Sequence, residues 1–122
     1  MRHTPQEIEV WYILPALRRE FSKAFLVTGM KQKDIAKIME ITEPAVSQYL
    51  KAKRGKEVQF EAHTVAEIAE SVKMLLVTPS KFNEELQRVA KELRNSDFLC
   101  KIHQKFDTVK HECNVCRKKD QE

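Results

Sequence analysis

The residues best suited to chemistry lie near the end of the chain, where three cysteines and two histidines cluster. Cys100 and His103 are separated by two residues, and so are Cys113 and Cys116. Thiolates and an imidazole at such spacings are typical of a tetrahedral zinc site. Three thiolates also suit an iron–sulfur cluster with one non-cysteine ligand or one open position. The tail therefore predicts one inorganic centre held by the three cysteines, with His103 as a further ligand and His111 as an alternative to it.

Two other interpretations of the cysteines involve no metal: a redox-active pair and unrelated thiols. A thiol enzyme would use Cys113 and Cys116. A thioredoxin-like pair lies between a strand and a helix, and nothing before Cys113 has the pattern of such a strand. The sequence also lacks a phosphate-binding loop and a recognisable Ser/His/Asp arrangement. We therefore expect that the protein is not an enzyme.

The composition favours a helical protein of the cytoplasm. Among 122 residues, two glycines and four prolines are too few turn residues for an all-β sandwich or barrel, so we expect the all-α class. No apolar run approaches the ~20 residues that span a bilayer. Acidic residues and Pro15 interrupt the apolar stretch near the N-terminus, unlike a secretion signal. In a reducing cytoplasm, metal binding is the commoner use of cysteine.

Positive charge is concentrated in two parts of the chain. The whole chain has a net charge of +4, from 22 Lys and Arg against 18 Asp and Glu. Residues 30–60 contain 7 basic and 4 acidic residues, and residues 98–122 contain 6 and 4. A basic excess of this size indicates nucleic-acid binding only where a motif that reads bases occupies the same segment.

Apolar residues at helical spacing predict the helices that must position the basic residues and the cysteine tail. A helix that follows Pro15 ends at Gly29, and its basic residues Arg18, Arg19 and Lys23 lie opposite its buried face. Two short helices follow within residues 30–55, and residues 56–62 form a small strand or a connector.

Two longer helices complete the predicted set. Thr64 caps one that runs to Val77, and the last covers residues 81–95. The apolar side predicted for the helix over residues 64–77 consists of Val65, Ile68, Ala69, Val72, Leu75 and Leu76.

The block from Gln32 to Lys51 resembles the helix-turn-helix of bacterial and archaeal repressors of the Cro/repressor type. Ala36 stands where a small side chain allows the two helices to pack closely, and a three-residue turn over 40–42 follows. Glu40 occupies the turn position that usually holds glycine, so we expect a positive φ there at some cost in strain. The buried aliphatic positions of the motif are filled by Ile35, Ile41, Val46 and Leu50.

This resemblance implies that the second helix lies in the major groove and presents its N-terminal side chains to the base edges. Those side chains are Glu43, Pro44, Ala45, Ser47 and Gln48. Glutamine pairs with adenine, serine bonds to several bases, glutamate accepts from cytosine, and small apolar groups contact the thymine methyl. Contacts to phosphates would come from the residues on either side, namely Lys31, Gln32, Lys33, Lys51, Lys53 and Arg54.

Over most of its length the chain resembles a family of small archaeal transcriptional regulators in which a DNA-binding domain precedes a cysteine cluster. The matching stretches are WYILPALRRE, SQYLKAKRG and LCKIHQ…CNVC. The resemblance implies an iron–sulfur cluster, 4Fe–4S or 3Fe–4S, in preference to zinc. It also implies a transcription factor that senses iron, sulfur or redox state, and we expect this factor to be a repressor. The alternative is a DNA-binding protein whose tail holds a purely structural zinc ion.

A regulator of this kind is expected to be a homodimer, because operators for such folds are palindromic, with half-sites about one helical turn apart. The predicted organisation has a DNA-binding domain over 1–60, a helical dimerisation region over 61–97 and a metal- or cluster-binding tail over 98–122. The dimer contacts are expected from the helices at 64–77 and 81–95 and from the Trp11–Tyr12 segment. Double-stranded DNA and a second copy are thus the expected partners, without a membrane.

Overall fold

The computed structural model describes residues 12–51 and 58–94, which form helices joined by short connections. No strand occurs within this described part, and the predicted all-α class is confirmed. No helix in it is both long enough and apolar enough to cross a bilayer. The helices are α1 (Leu14–Val27), α2 (Gln32–Met39), α3 (Glu43–Leu50), α4 (Ala62–Val77) and α5 (Phe82–Arg94), with a 3-10 turn at Pro79–Lys81 between the last two.

Helix α1 ends at Val27, and Gly29 stands just beyond it, where the sequence predicts the terminating glycine. This glycine has a φ of 93°, which places it in the left-handed region. Its N–H donates to the carbonyl of Leu26 at 2.9 Å, and the N–H of Met30 donates to the carbonyl of Phe25 at 3.4 Å. These two bonds satisfy carbonyls that a helix end leaves without partners. The turn directs the chain from α1 into α2.

The core is built around α1, which contacts each of the other four helices. Three phenylalanines meet at its centre. The ring centroids of Phe21 and Phe82 are 5.3 Å apart at an angle of 84°, an edge-to-face pair, and Phe25 lies 6.5 Å from both. Helices from the predicted segments 1–60 and 61–97 thus share one core, and the division of the chain into functional units stays a prediction.

Arg19 does not lie on the solvent side of α1, as its spacing predicts, but is only 8% exposed. Its Nη2 atom lies 2.9 Å from Oε2 of Glu20 and donates to Oε1 of Gln59 at 3.4 Å. Gln59 belongs to the connector 58–60, whose Val58 is fully buried. The connector therefore returns across α1 and covers this arginine, an arrangement that depends on residues 40 positions apart in the sequence.

Helix α4 begins two residues earlier than predicted, and Thr64 is not its N-cap. Glu61 precedes the first helical residue, and its carbonyl accepts from the N–H of Thr64 at 3.0 Å. Thr64 therefore lies inside the first turn and is 3% exposed. Burial of this side chain in the core accounts for its position, since a capping threonine has to stay outside the helix.

The apolar side predicted for α4 is divided by the structure into two faces. Ile68, Val72 and Leu75 are buried in the core. Val65 and Leu76 are 41% and 44% exposed, although they were assigned to the same side. The apolar arc of α4 is therefore wider than the core can cover.

Arg88 joins α4 to α5 through a group of polar contacts. Its guanidinium donates to Glu67 and to Ser71 on α4, and to Glu85 and Glu92 on α5. A hydrogen bond between the carboxyl groups of Glu67 and Glu92 lowers the pKa of Glu67 and raises that of Glu92. The hydrogen bond from Arg88 lowers the pKa of Glu85. Through Arg88, this side of α4 is held against α5.

Candidate nucleic-acid interface and cysteine tail

Helices α2 and α3 are joined by a turn of three residues, 40–42, as the sequence predicts. Glu40 adopts a φ of 56° and a ψ of 41°, so the expected positive φ is confirmed. The N–H of Ile41 donates to the carbonyl of Ala36 at 3.1 Å and thereby closes the end of α2. A left-handed residue at this place usually is glycine, because any Cβ atom is crowded there. The turn therefore keeps its geometry at a cost in free energy.

The start of α3 is set by Thr42. Its Oγ1 atom accepts a hydrogen bond from the N–H of Ala45 at 3.2 Å, which satisfies one of the free donors of the helix end. Glu43 adds a negative charge in the first turn, where the helix dipole stabilises it, and Pro44 fits there without losing a hydrogen bond. Local sequence alone therefore fixes where α3 begins.

Both short helices dock on α1. Ile35 and Val46 are fully buried, and Ala36 is 6% exposed. The hydroxyl of Ser22 on α1 donates to the sulfur of Met39 on α2 at 3.5 Å. Because isolated helices of eight residues are unstable in water, this docking maintains α2 and α3.

The outward face of α3 is formed by most of the side chains predicted to contact DNA. Glu43, Pro44 and Lys51 are exposed, and Ser47 and Gln48 are partly exposed. Their spacing in the sequence places them on one side of the helix, opposite Val46 and its buried neighbours. The face offers a carboxylate, a hydroxyl, an amide and an ammonium group, which together can bond to base edges and to a phosphate.

Ala45 differs from the rest of the predicted contact set because it is only 7% exposed. Little of its methyl group is accessible to a thymine. Tyr49, four residues further along, is also buried, at 5% exposure. This spacing, at which helical residues share a face, was the signal in the sequence that Ala45 belongs to the inner side.

The start of α2 holds the predicted phosphate-binding residues of the first helix. Lys31 and Lys33 are exposed, and Gln32 is partly exposed. Lys31 is the N-cap residue, so its charge lies next to the free N–H groups that begin α2. An anion at this position would meet both the ammonium and the helix N-terminus. Two further predicted phosphate contacts, Lys53 and Arg54, lie outside the described residues.

We expect that Glu40→Gly raises the free energy of unfolding by about 0.5–1 kcal/mol, because glycine adopts the left-handed conformation without a crowded Cβ atom. Urea unfolding followed by circular dichroism measures the change. Lys37→Gly is the matched control, since Lys37 is exposed within α2. There, the same substitution is expected to lower stability by about 1 kcal/mol. A loss of stability in both variants would contradict the strain assigned to Glu40.

The ligands predicted for the inorganic centre, Cys100, Cys113, Cys116 and His103, lie outside the described residues. Within residues 12–51 and 58–94, no group of three or more His, Cys, Asp or Glu side chains is arranged to hold a metal ion. The donor set itself, three thiolates and an imidazole, fits either an iron–sulfur cluster or zinc.

Three comparisons with known proteins gave no match. No protein-family model, no curated protein and no solved structure matches the chain. The functional argument therefore depends on the residues and on their geometry.

Proposed function

We propose that this chain is a homodimeric transcriptional regulator, a repressor, that binds double-stranded DNA through α2 and α3. The observation that carries the proposal is the pair of short helices joined by a three-residue turn with Glu40 in the left-handed region. This turn directs α3 away from α2 and leaves its polar face uncovered by the described part of the chain. A helix docked in this way can enter the major groove with its N-terminal residues foremost.

In this proposal, Gln48 reads a base edge, because its amide can donate to and accept from adenine at once. Ser47 and Glu43 add single hydrogen bonds on the same face. Lys51 and Lys31 neutralise phosphates on either side of the groove and hold the protein in register. Ala45 has no direct role here, since its side chain is buried.

The tail provides the sensing part of the proposal. Cys100, Cys113 and Cys116, with His103 as a further candidate, would hold an iron–sulfur cluster, with zinc as the alternative. A bound cluster would supply a centre whose presence depends on the iron supply and on the redox state of the cell. Loss of the cluster would therefore signal a change in either of them. Such a centre regulates DNA binding only if it has different affinities for two geometries of the dimer.

The test of DNA reading is Gln48→Ala. We expect a loss of roughly 1–3 kcal/mol on the cognate operator and a relaxed preference at one base pair, because a bidentate contact is removed. The operator is first obtained by selection from random duplexes, and affinities are then measured by fluorescence anisotropy at one salt concentration. Gln87→Ala, an exposed glutamine on α5, is the control. Unchanged base preference in Gln48→Ala would remove this residue from base reading.

Phosphate contacts are tested by the salt dependence of the affinity. Lys51→Ala is expected to weaken binding to all duplexes alike and to reduce the slope of log K against log salt by about one. Lys91→Ala, an exposed lysine on α5, is expected to leave the slope unchanged. Equal slopes in both variants would show that Lys51 does not lie at the backbone of the DNA. Lack of duplex binding by the wild-type chain would refute the proposed function.

A further inference from the structure

Helix α4 carries an apolar face that the described part of the chain does not cover. Ala62 and Ala69 are exposed, and Val65 and Leu76 are 41% and 44% exposed. Their spacings of three, four and seven residues place them on one side of the helix. The four residues, here called the outer face of α4, extend over most of the length of the helix, roughly 20 Å at 1.5 Å per residue.

A groove lies beside this face, between α4 and α1. Its volume is about 340 Å³, and its walls include Ala24 and Val27 of α1 and Val65 and Ala69 of α4. Val27 is 87% exposed, although it lies next to another apolar surface. The outer face and Val27 therefore form one apolar patch.

Two other sides of α4 have partners within the described part of the chain. Ile68 and Leu75 face the core, and Glu67 and Ser71 bind Arg88 of α5. The outer face is thus the apolar side that remains for a contact with another molecule.

We infer that the outer face of α4 is the surface on which a second copy of this chain docks, with the two α4 helices antiparallel across a two-fold axis. The inference deepens the proposed function, from which it takes the expectation of a dimer. A two-fold contact requires a surface that is complementary to itself. In an antiparallel pair centred between Ala69 and Val72, Val65 meets Leu76 of the partner subunit, and the small Ala69 lies near the axis, where the two helices approach.

Charge also favours a second copy as the occupant. Lys73 lies at the margin of the outer face and is 71% exposed, and its ammonium pairs at 3.2 Å with the carboxylate of Glu70, which is 73% exposed. The same antiparallel register brings Glu70 of each copy towards Lys73 of the other. The tail of this chain would fit less well, since residues 98–122 carry a net positive charge and two of the three charged residues that line the groove, Lys23 and Lys73, are basic, with Glu20 as the third.

The first experiment measures the mass of the full chain by light scattering at micromolar concentration, without DNA. We expect twice the 14.3 kDa of one chain for the wild type. Ala69→Glu places a carboxylate of each copy close to the two-fold axis, where the two like charges repel and lose water, so it is expected to weaken dimerisation by about a hundredfold or more. Met74→Glu is the matched control, because Met74 is exposed on the opposite side of α4. It is expected to remain a dimer, and circular dichroism checks that both variants fold.

The second experiment exchanges charges. Lys73→Glu and Glu70→Lys each place like charges across the two-fold axis, so each variant alone is expected to dimerise more weakly than the wild type. When the two variants are mixed, one copy is acidic and the other basic at the contact, and heterodimers are expected to form. Native mass spectrometry of a mixture with one isotope-labelled partner distinguishes these species. Recovery of dimerisation on mixing supports a contact between two copies, because a docked tail would not produce this recovery.

Three outcomes overturn the inference: a wild-type monomer throughout the concentration range, an unaffected Ala69→Glu dimer, or no recovery on mixing. Protection of the tail from proteolysis that is lost in Ala69→Glu, in a monomeric chain, would identify the tail as the occupant and overturn it as well. Failure of the proposed function is a separate result. If the chain is a dimer that gives the expected result in both experiments but binds no duplex, the dimer surface is supported and DNA binding is refuted. If the chain is a monomer that binds duplex, only the inferred dimer surface is refuted.

Discussion

Replacement of Cys100, Cys113 and Cys116 by serine is expected to abolish the inorganic centre proposed for the tail and to change operator affinity. Serine provides a hydroxyl in place of a thiolate, which iron–sulfur clusters require and which would supply three of the four ligands of a zinc site here. Helices α1–α5 should stay folded, because the described residues 12–51 and 58–94 form an apolar core among themselves. Anaerobic purification followed by iron, zinc and sulfide analysis measures the centre, and circular dichroism measures the helices.

His103→Ala is the companion variant, since it separates the two candidate centres. It is expected to have a small effect on an iron–sulfur cluster and a larger effect on zinc, for which the imidazole is one of four ligands. Undiminished metal in the triple-serine variant would refute the assignment of the cysteines. Equal operator affinities of the loaded protein and the triple-serine variant, measured anaerobically at one salt concentration, would reduce the tail to a structural element without a sensing role.

Phe21→Ala is expected to lower the free energy of unfolding by about 3–5 kcal/mol. The ring of Phe21 is fully buried and packs edge-to-face on Phe82, with Phe25 on another side. Its removal leaves a cavity at the point where α1 meets α5. Urea unfolding followed by circular dichroism and by tryptophan fluorescence provides the measurement.

Leu26→Ala is the control for this prediction, because it removes an apolar side chain from the same helix. Leu26 is 44% exposed. We expect a change within about 1 kcal/mol at this position. Similar losses in the two variants would mean that the aromatic cluster contributes no more than an exposed leucine, contrary to the packing described above.

The parts of the fold that the sequence predicts best are those that a few adjacent residues determine. Gly29 ends α1, Glu40 bends the chain after α2, and Thr42 starts α3. In each case the deciding hydrogen bond or dihedral angle belongs to residues within five positions of one another. For the same reason the outward face of α3, the candidate site, is largely predictable.

The features that the sequence does not predict depend on distant parts of the chain. Arg19 is buried because the connector with Gln59 returns across α1, which helical periodicity cannot indicate. Thr64 is drawn into the core, although its residue type favours a cap. The apolar residues of α4 appear as one side in the sequence, and only the packed structure shows that Val65 lies outside the core. Tertiary contacts override local preference in all three cases.

The position of α1 has a consequence for the order in which the protein is assembled on the ribosome. Synthesis proceeds from the N-terminus, so α1 emerges before α5, yet Phe21 and Phe25 depend on Phe82 for cover. Until the α5 segment has left the exit tunnel, these aromatic rings stay open to water and to chaperones that bind apolar segments. The nascent chain therefore acquires its stable native form only after α5 has emerged, and a ribosome that stalls between α3 and α5 would present an incompletely folded, aggregation-prone intermediate.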